Sequence, residues 1–124
     1  LFDFGRTSAN LELANARKVI AVAEYEKAIQ QAFREVADLL AAREKLAEQL
    51  GAQEAFEKTQ RQRLVLAKAR YSSGIASFLE VLDAQRDEFS AQQGVIQTRR
   101  NMLSVAAQLY KAVGGGTRLE TSKP

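Results

Sequence analysis

The chain has 124 residues, 18 basic and 15 acidic, for a net charge of +3, and is 46% hydrophobic but only 7% aromatic. One ordinary domain fits that length, and an apolar fraction so rich in alanine suits close helix packing better than a thick core. Cysteine and histidine are both absent, which excludes disulfides, thiol catalysis, Cys/His metal sites and His-based acid–base chemistry.

Residues 1–6 read as a strand-to-helix junction: Leu1, Phe2 and Phe4 are apolar and Gly5 breaks the run. The opening lacks the basic-then-apolar pattern of a signal peptide, and the chain reads as cut from something longer. Thr7 or Ser8 is placed to cap a helix over 7–71. The only proline is Pro124, so nothing internal forbids a very long helix. Gly51 costs about 1 kcal/mol against alanine but has no turn cluster around it, so the helix is expected to continue. At ~1.5 Å per residue, some ~60 residues would reach ~90 Å, which favours an elongated molecule. Val22, Ile29, Val36, Leu50 and Leu64 recur at multiples of seven, with Arg43 and Glu57 interrupting the row. Phe33, Leu40 and Ala47 form a companion row.

The reversal is expected at 72–77, where Gly74 can take the positive φ that stops a helix. Ser77 and Glu80 then read as a capping box opening a second helix over 78–113. Along the second arm Ile75, Leu82, Phe89, Ile96, Leu103 and Tyr110 are spaced by seven without exception, the mark of a left-handed coiled coil. A companion row, Phe78, Gln85, Gln92, Arg99, Ala106 and Val113, is apolar only at its ends. Residues 114–124 read as a glycine stop followed by a polar, disordered tail. The fold class is therefore all-α: an antiparallel helical hairpin with one long and one shorter arm. Leu11, Leu13, Val19, Ile20 and Val22, near the start of the long arm, find no partner in the chain and must pack on something else.

Lys58, Arg61, Arg63, Lys68 and Arg70 lead into the turn, and Glu80, Asp83, Asp87 and Glu88 leave it. Antiparallel folding brings the two sets together as interhelical pairs that fix register, each worth only ~0–1 kcal/mol if exposed. No aromatic interleaves the bases, so a nucleic-acid surface is not indicated. No apolar run reaches the ~18 residues of a membrane-spanning helix. The Gly114-Gly115-Gly116 run lacks the strand and Lys-Ser/Thr of a phosphate cradle. Nothing suggests an enzyme, a cofactor or a metal. Physics alone leads to a helical hairpin that builds an assembly, an adaptor or scaffold module without a pore being one form of it.

Several strings carry a resemblance. Leu1-Phe2-Asp3-Phe4-Gly5-Arg6, Ala9-Asn10-Leu11 and the run from Tyr25 to Asp38 resemble the outer membrane factor family of TolC/OprM-type efflux channels. So do Arg70-Tyr71-Ser72-Ser73-Gly74, Val81-Leu82-Asp83-Ala84-Gln85-Arg86, Ser90-Ala91-Gln92-Gln93 and the run from Leu109 to Gly116. The resemblance implies a homotrimer with a periplasmic α-barrel, anchored in the outer membrane of a Gram-negative bacterium. It makes this chain the C-terminal helical half-repeat, which does not itself span the membrane. It also implies a periplasmic adaptor (membrane fusion) protein and an inner-membrane pump, of the resistance-nodulation-division class, as partners. By the same resemblance Glu80 and Asp83 narrow a cation-interacting entrance, and Tyr71 belongs to the links that close it. A basic residue of those links in some relatives falls on Ala76 here, leaving Arg86 or Arg70 as substitutes. Ser72, Ser73, Gly74, Ile75 and Ala76 match the surface that meets the adaptor. Read without the resemblance, Glu80 is a capping residue, Asp83 a favourable charge near a helix N-terminus and Tyr71 a packing residue beside the turn.

Overall fold

A computed structural model of the chain describes residues 3–114. The described residues form two helices, α1 over Asp3–Ser72 and α2 over Phe78–Ala112. The all-α expectation holds. The chain divides into two units, Leu1–Asp38 and Leu39–Pro124.

In the first unit the described residues are a single length of α1. Every side chain there is exposed except Val36, which is half-buried. Leu11, Leu13, Val19, Ile20, Val22, Tyr25 and Phe33 all face outward. The helix begins at Asp3, inside the segment expected to be a strand exit, and Leu1 and Phe2 lie outside the described residues. Thr7 therefore does not cap. Its hydroxyl donates to the Asp3 carbonyl at 2.8 Å, the backward bond a threonine makes once it is already inside a helix.

The second unit is the antiparallel pair itself. Its seam follows a seven-residue repeat on both helices. On α2 the inward positions are Val81, Ala84, Glu88, Ala91, Val95, Thr98, Met102, Val105, Leu109 and Ala112, all buried or half-buried. On α1 they are Leu39, Ala42, Leu46, Leu50, Gln53, Glu57, Gln60, Leu64 and Ala67. The best-buried cluster lies beside the turn: Leu64, Ala67, Val81 and Ala84. The backbone runs through Gly51 without a break in the helix.

This seam keeps the α1 row through Leu50 and Leu64, with Glu57 in line, and corrects the other rows of the sequence reading. The regular row Ile75, Leu82, Phe89, Ile96, Leu103 and Tyr110 is exposed throughout, with Leu103 at 72%. Leu40 and Ala47, expected in the companion row of α1, are exposed too, and Leu39 and Leu46 take the inward positions. Small residues explain the choice. Val81, Ala84, Ala91 and Val95 let the helices approach closely, and adjacent positions on a helix do not share a face, so the bulky row one residue along is turned away.

At the far end, α2 stops where the Val113 amide bonds to the Leu109 carbonyl and Gly114 takes φ 89°. Gly115, Gly116 and the tail to Pro124 lie outside the described residues.

Ala84 is 1% exposed in the tightest part of the seam. Ala84→Leu is therefore expected to lower stability by about 1–3 kcal/mol through overpacking. A fall in the unfolding midpoint, followed by circular dichroism, checks this; an unchanged midpoint would place Ala84 outside the seam.

Candidate functional site

The hairpin tip gathers every residue singled out as a candidate site, and its geometry starts from the backbone. Gly74 has φ 74°, the left-handed conformation that side chains resist. With that residue reversed, the Ile75 amide reaches the Arg70 carbonyl at 2.9 Å and the Gly74 amide reaches the Tyr71 carbonyl at 3.0 Å. These two bonds are the Schellman closure of a helix C-terminus. The Ala76 amide adds a longer bond to the same Arg70 carbonyl, at 3.3 Å. The Ser72 and Ser73 hydroxyls both donate to the Ala69 carbonyl, at 2.8 and 3.0 Å. Carbonyls that a helix end leaves unpaired are thus satisfied within the tip.

On the other side of the turn, Ser77 is the N-cap residue, with φ −75° and ψ 155°, but its side chain makes no cap hydrogen bond. The expected capping box is not formed. The Glu80 amide bonds instead to the Ser77 backbone carbonyl at 3.2 Å. The Glu80 carboxylate turns across the hairpin to the Arg70 guanidinium at 3.1 Å. A charge-assisted bond to a guanidinium outcompetes one to a neutral amide, which accounts for the choice.

The remaining candidates are held in different ways. Tyr71 stacks on Phe78 across the turn, ring centroids 5.3 Å apart and planes tilted by 56°. Phe78 entered the sequence reading only as the head of the companion row, not as a partner of Tyr71, though it lies seven residues beyond it, directly past the reversal. Asp83 faces Arg86 at 3.8 Å, a loose pair one turn along the same helix. Arg86 also lies 3.6 Å from Asp87, which in turn holds Arg63 of α1 at 2.6 Å. Further from the tip, Arg61 lies 3.7 Å from Glu88, and Arg99 bonds Glu54 at 2.7 Å. The expected interhelical pairing is therefore present in this unit. Tyr71, Glu80 and Asp83 do not touch one another: each is engaged by a different neighbour. Of the turn residues, Ile75 is 71% exposed and Ala76 is half-buried.

The tip offers a surface, not a reaction vessel. The cavity beside it, lined by Arg63, Leu66, Ala67, Arg70, Glu80 and Ala84, is about 90 Å³, below the ~300 Å³ at which small-molecule pockets begin. Among the described residues no cluster of acidic side chains is arranged to hold a metal ion. No described helix is long and apolar enough to cross a membrane.

The described residues are thus a helical hairpin with charged residues flanking its tip and apolar rows left exposed on both helices. Comparison with known proteins identifies its family. The family profile described as outer membrane efflux protein matches residues 1–115. The chain is 48% identical over 124 residues to the toluene efflux pump outer membrane protein TtgF of Pseudomonas putida, covering all of this chain and 26% of that protein. It is 47% identical over 116 residues to the outer membrane protein OprJ of Pseudomonas aeruginosa, covering 94% of this chain and 24% of the relative. A crystal structure of a membrane protein from Pseudomonas aeruginosa matches with a TM-score of 0.76 at 46% identity, over 90% of this chain and 25% of that one. The chain belongs to the outer membrane efflux protein family. It spans about a quarter of the length of the curated relatives it matches. The reading as a stand-alone adaptor or scaffold hairpin is set aside by that membership.

Gly74→Ala, which forces a Cβ into the left-handed region, is expected to cost about 1–2 kcal/mol. Ser77→Ala is expected to cost under about 0.5 kcal/mol, below the ~1 kcal/mol typical of a lost cap, because no cap bond exists to lose. Chemical denaturation of the two variants side by side checks both. A loss at Ser77 as large as that at Gly74 would contradict this account of the tip.

Proposed function

We propose that this chain is the C-terminal helical pair of the periplasmic barrel of an outer-membrane channel, in a Gram-negative bacterium, that serves tripartite efflux. The observation that carries the reading is the family match over residues 1–115, joined to a hairpin whose outward faces are apolar and whose tip is charged. The parent protein is a homotrimer and a passive conduit; it binds and passes solutes but catalyses nothing. Its partners are a periplasmic adaptor and an inner-membrane pump of the resistance-nodulation-division class.

In this reading the tip is the entrance. Three copies set Glu80 and Asp83 around the axis, and a ring of carboxylates selects and retains cations. Tyr71, held against Phe78, and Arg86, held between Asp83 and Asp87, are the residues that fasten the closed state. Ser72, Ser73, Gly74, Ile75 and Ala76 meet the adaptor, with Ile75 supplying the projecting apolar contact. The Ser72 and Ser73 hydroxyls already donate to the Ala69 carbonyl, so they offer the adaptor acceptor lone pairs and not donors.

Asp83 and Arg86 are expected to act with opposite sign. In the full-length trimer, Asp83→Ala removes a carboxylate from each subunit and should weaken cation block by about tenfold, the equivalent of ~1.4 kcal/mol. Arg86→Ala frees Asp83 from its counter-charge and should strengthen the block. Single-channel recording with added multivalent cation reads both. Unchanged conductance and block in Asp83→Ala would remove Asp83 from the entrance.

A further inference from the structure

The seam of the second unit is not uniform along its length. Toward the turn, the inward positions carry Leu64, Ala67, Val81 and Ala84, all buried. Toward the open end they carry Leu39, Leu46 and Leu50 on α1 and Met102, Val105 and Leu109 on α2. Between these apolar stretches the same positions of α1 are occupied by Gln53, Glu57 and Gln60, and α2 contributes Glu88 beside the small, buried Ala91, Val95 and Thr98.

These polar residues are accommodated in different ways. The Gln60 side-chain carbonyl is buried without a hydrogen-bond partner, and such a group loses its hydration with nothing in return. Glu57 and Glu88, each with its side chain only 18% exposed, both turn to the single guanidinium of Arg61. Glu88 also accepts from the Gln92 amide at 2.8 Å. Gln53 lies over Gly94 so closely that a Cβ there would meet its side-chain oxygen at 2.3 Å. Gly94 is thus the clearance for a long polar side chain within a seam. Beside it runs an open groove of about 530 Å³ whose lining includes Ala52, Gln53, Phe56, Ser90, Ala91 and Gly94. Polar occupancy, an unsatisfied amide oxygen, a glycine and a groove fall in one stretch. On α1 no apolar residue turns inward between Leu50 and Leu64, and local opening is drawn from stretches with few buried apolar contacts.

We infer that residues 53–60 of α1 and 88–94 of α2 form a yielding waist, at which the two helices part while the apolar clamp below it keeps the tip together as one piece. The waist is a property of the hairpin. Only its use, letting the tip swing as a unit when the entrance opens, rests on the channel reading.

Amide hydrogen exchange on the full-length protein, read by mass spectrometry, tests the waist directly. Amides of 53–60 and 88–94 are expected to exchange at least about tenfold faster than those of 64–68 and 82–86 on one side and 44–50 and 100–106 on the other. The double variant Gln53→Leu/Gln60→Leu, which fills the seam with apolar side chains and leaves the charges in place, is expected to level that maximum. Exchange that rises steadily from the turn to the open end, with no maximum between, overturns the proposal. So does a maximum that persists unchanged in the folded double variant; if that variant fails to fold, the native profile decides. A waist present in a protein whose Asp83→Ala variant conducts normally would leave the hinge standing and sink the entrance assignment instead.

Discussion

The carbonyl oxygen of Arg70 accepts bonds from the amides of both Ile75 and Ala76, and it can do so only because Gly74 adopts φ 74°. That one backbone constraint sets where α2 starts and in which direction it returns. Once α2 leaves the turn at Phe78, Arg70 is brought level with Glu80, Arg63 with Asp87 and Arg61 with Glu88. Exposed pairs of this kind contribute little energy individually. Their value is positional: a slip along the seam would break all of them at once and move Ala84 and Val81 out from under Leu64 and Ala67.

Much of this was legible in the residues. The helices, the glycine at the reversal and the opposition of a basic stretch to an acidic one all follow from local chemistry, which sequence records directly. The seam was misread because a regular row of large apolar residues is the louder signal. The row from Leu82 to Tyr110 announces a stripe without saying what covers it. The contact that does form uses Ala84, Ala91, Val95 and the buried Thr98, residues whose importance lies in being small. Smallness has no hydropathy signature. Glu80 was misassigned for a different reason. A capping box is a local pattern, and its acceptor was claimed by Arg70, ten residues earlier in sequence and adjacent only after folding.

The energetics point the same way as the pattern. No large side chain is fully buried, and Phe89, Ile96, Leu103 and Tyr110 stand at half exposure or more. Helices take most of their stability from packing an apolar face, not from intrinsic propensity. A hairpin that leaves so regular a row uncovered takes little of that stabilisation from its own described residues. The first unit carries the argument further, since among the described residues every side chain of it but the half-buried Val36 is exposed.

The two acidic residues at the tip then separate on physical grounds. Glu80 is bound at 3.1 Å by a guanidinium of the opposite helix, so moving it means loosening the turn. Among the described residues Asp83 is answered only by Arg86, at 3.8 Å, on its own helix. Arg86 is 76% exposed and divides its charge between Asp83 and Asp87. A loosely held carboxylate beside a shared, solvated arginine exchanges its partner for a mobile cation far more readily than one locked across a seam. Within the entrance reading, Glu80 is therefore the residue that holds the tip's shape and Asp83 the one that meets ions.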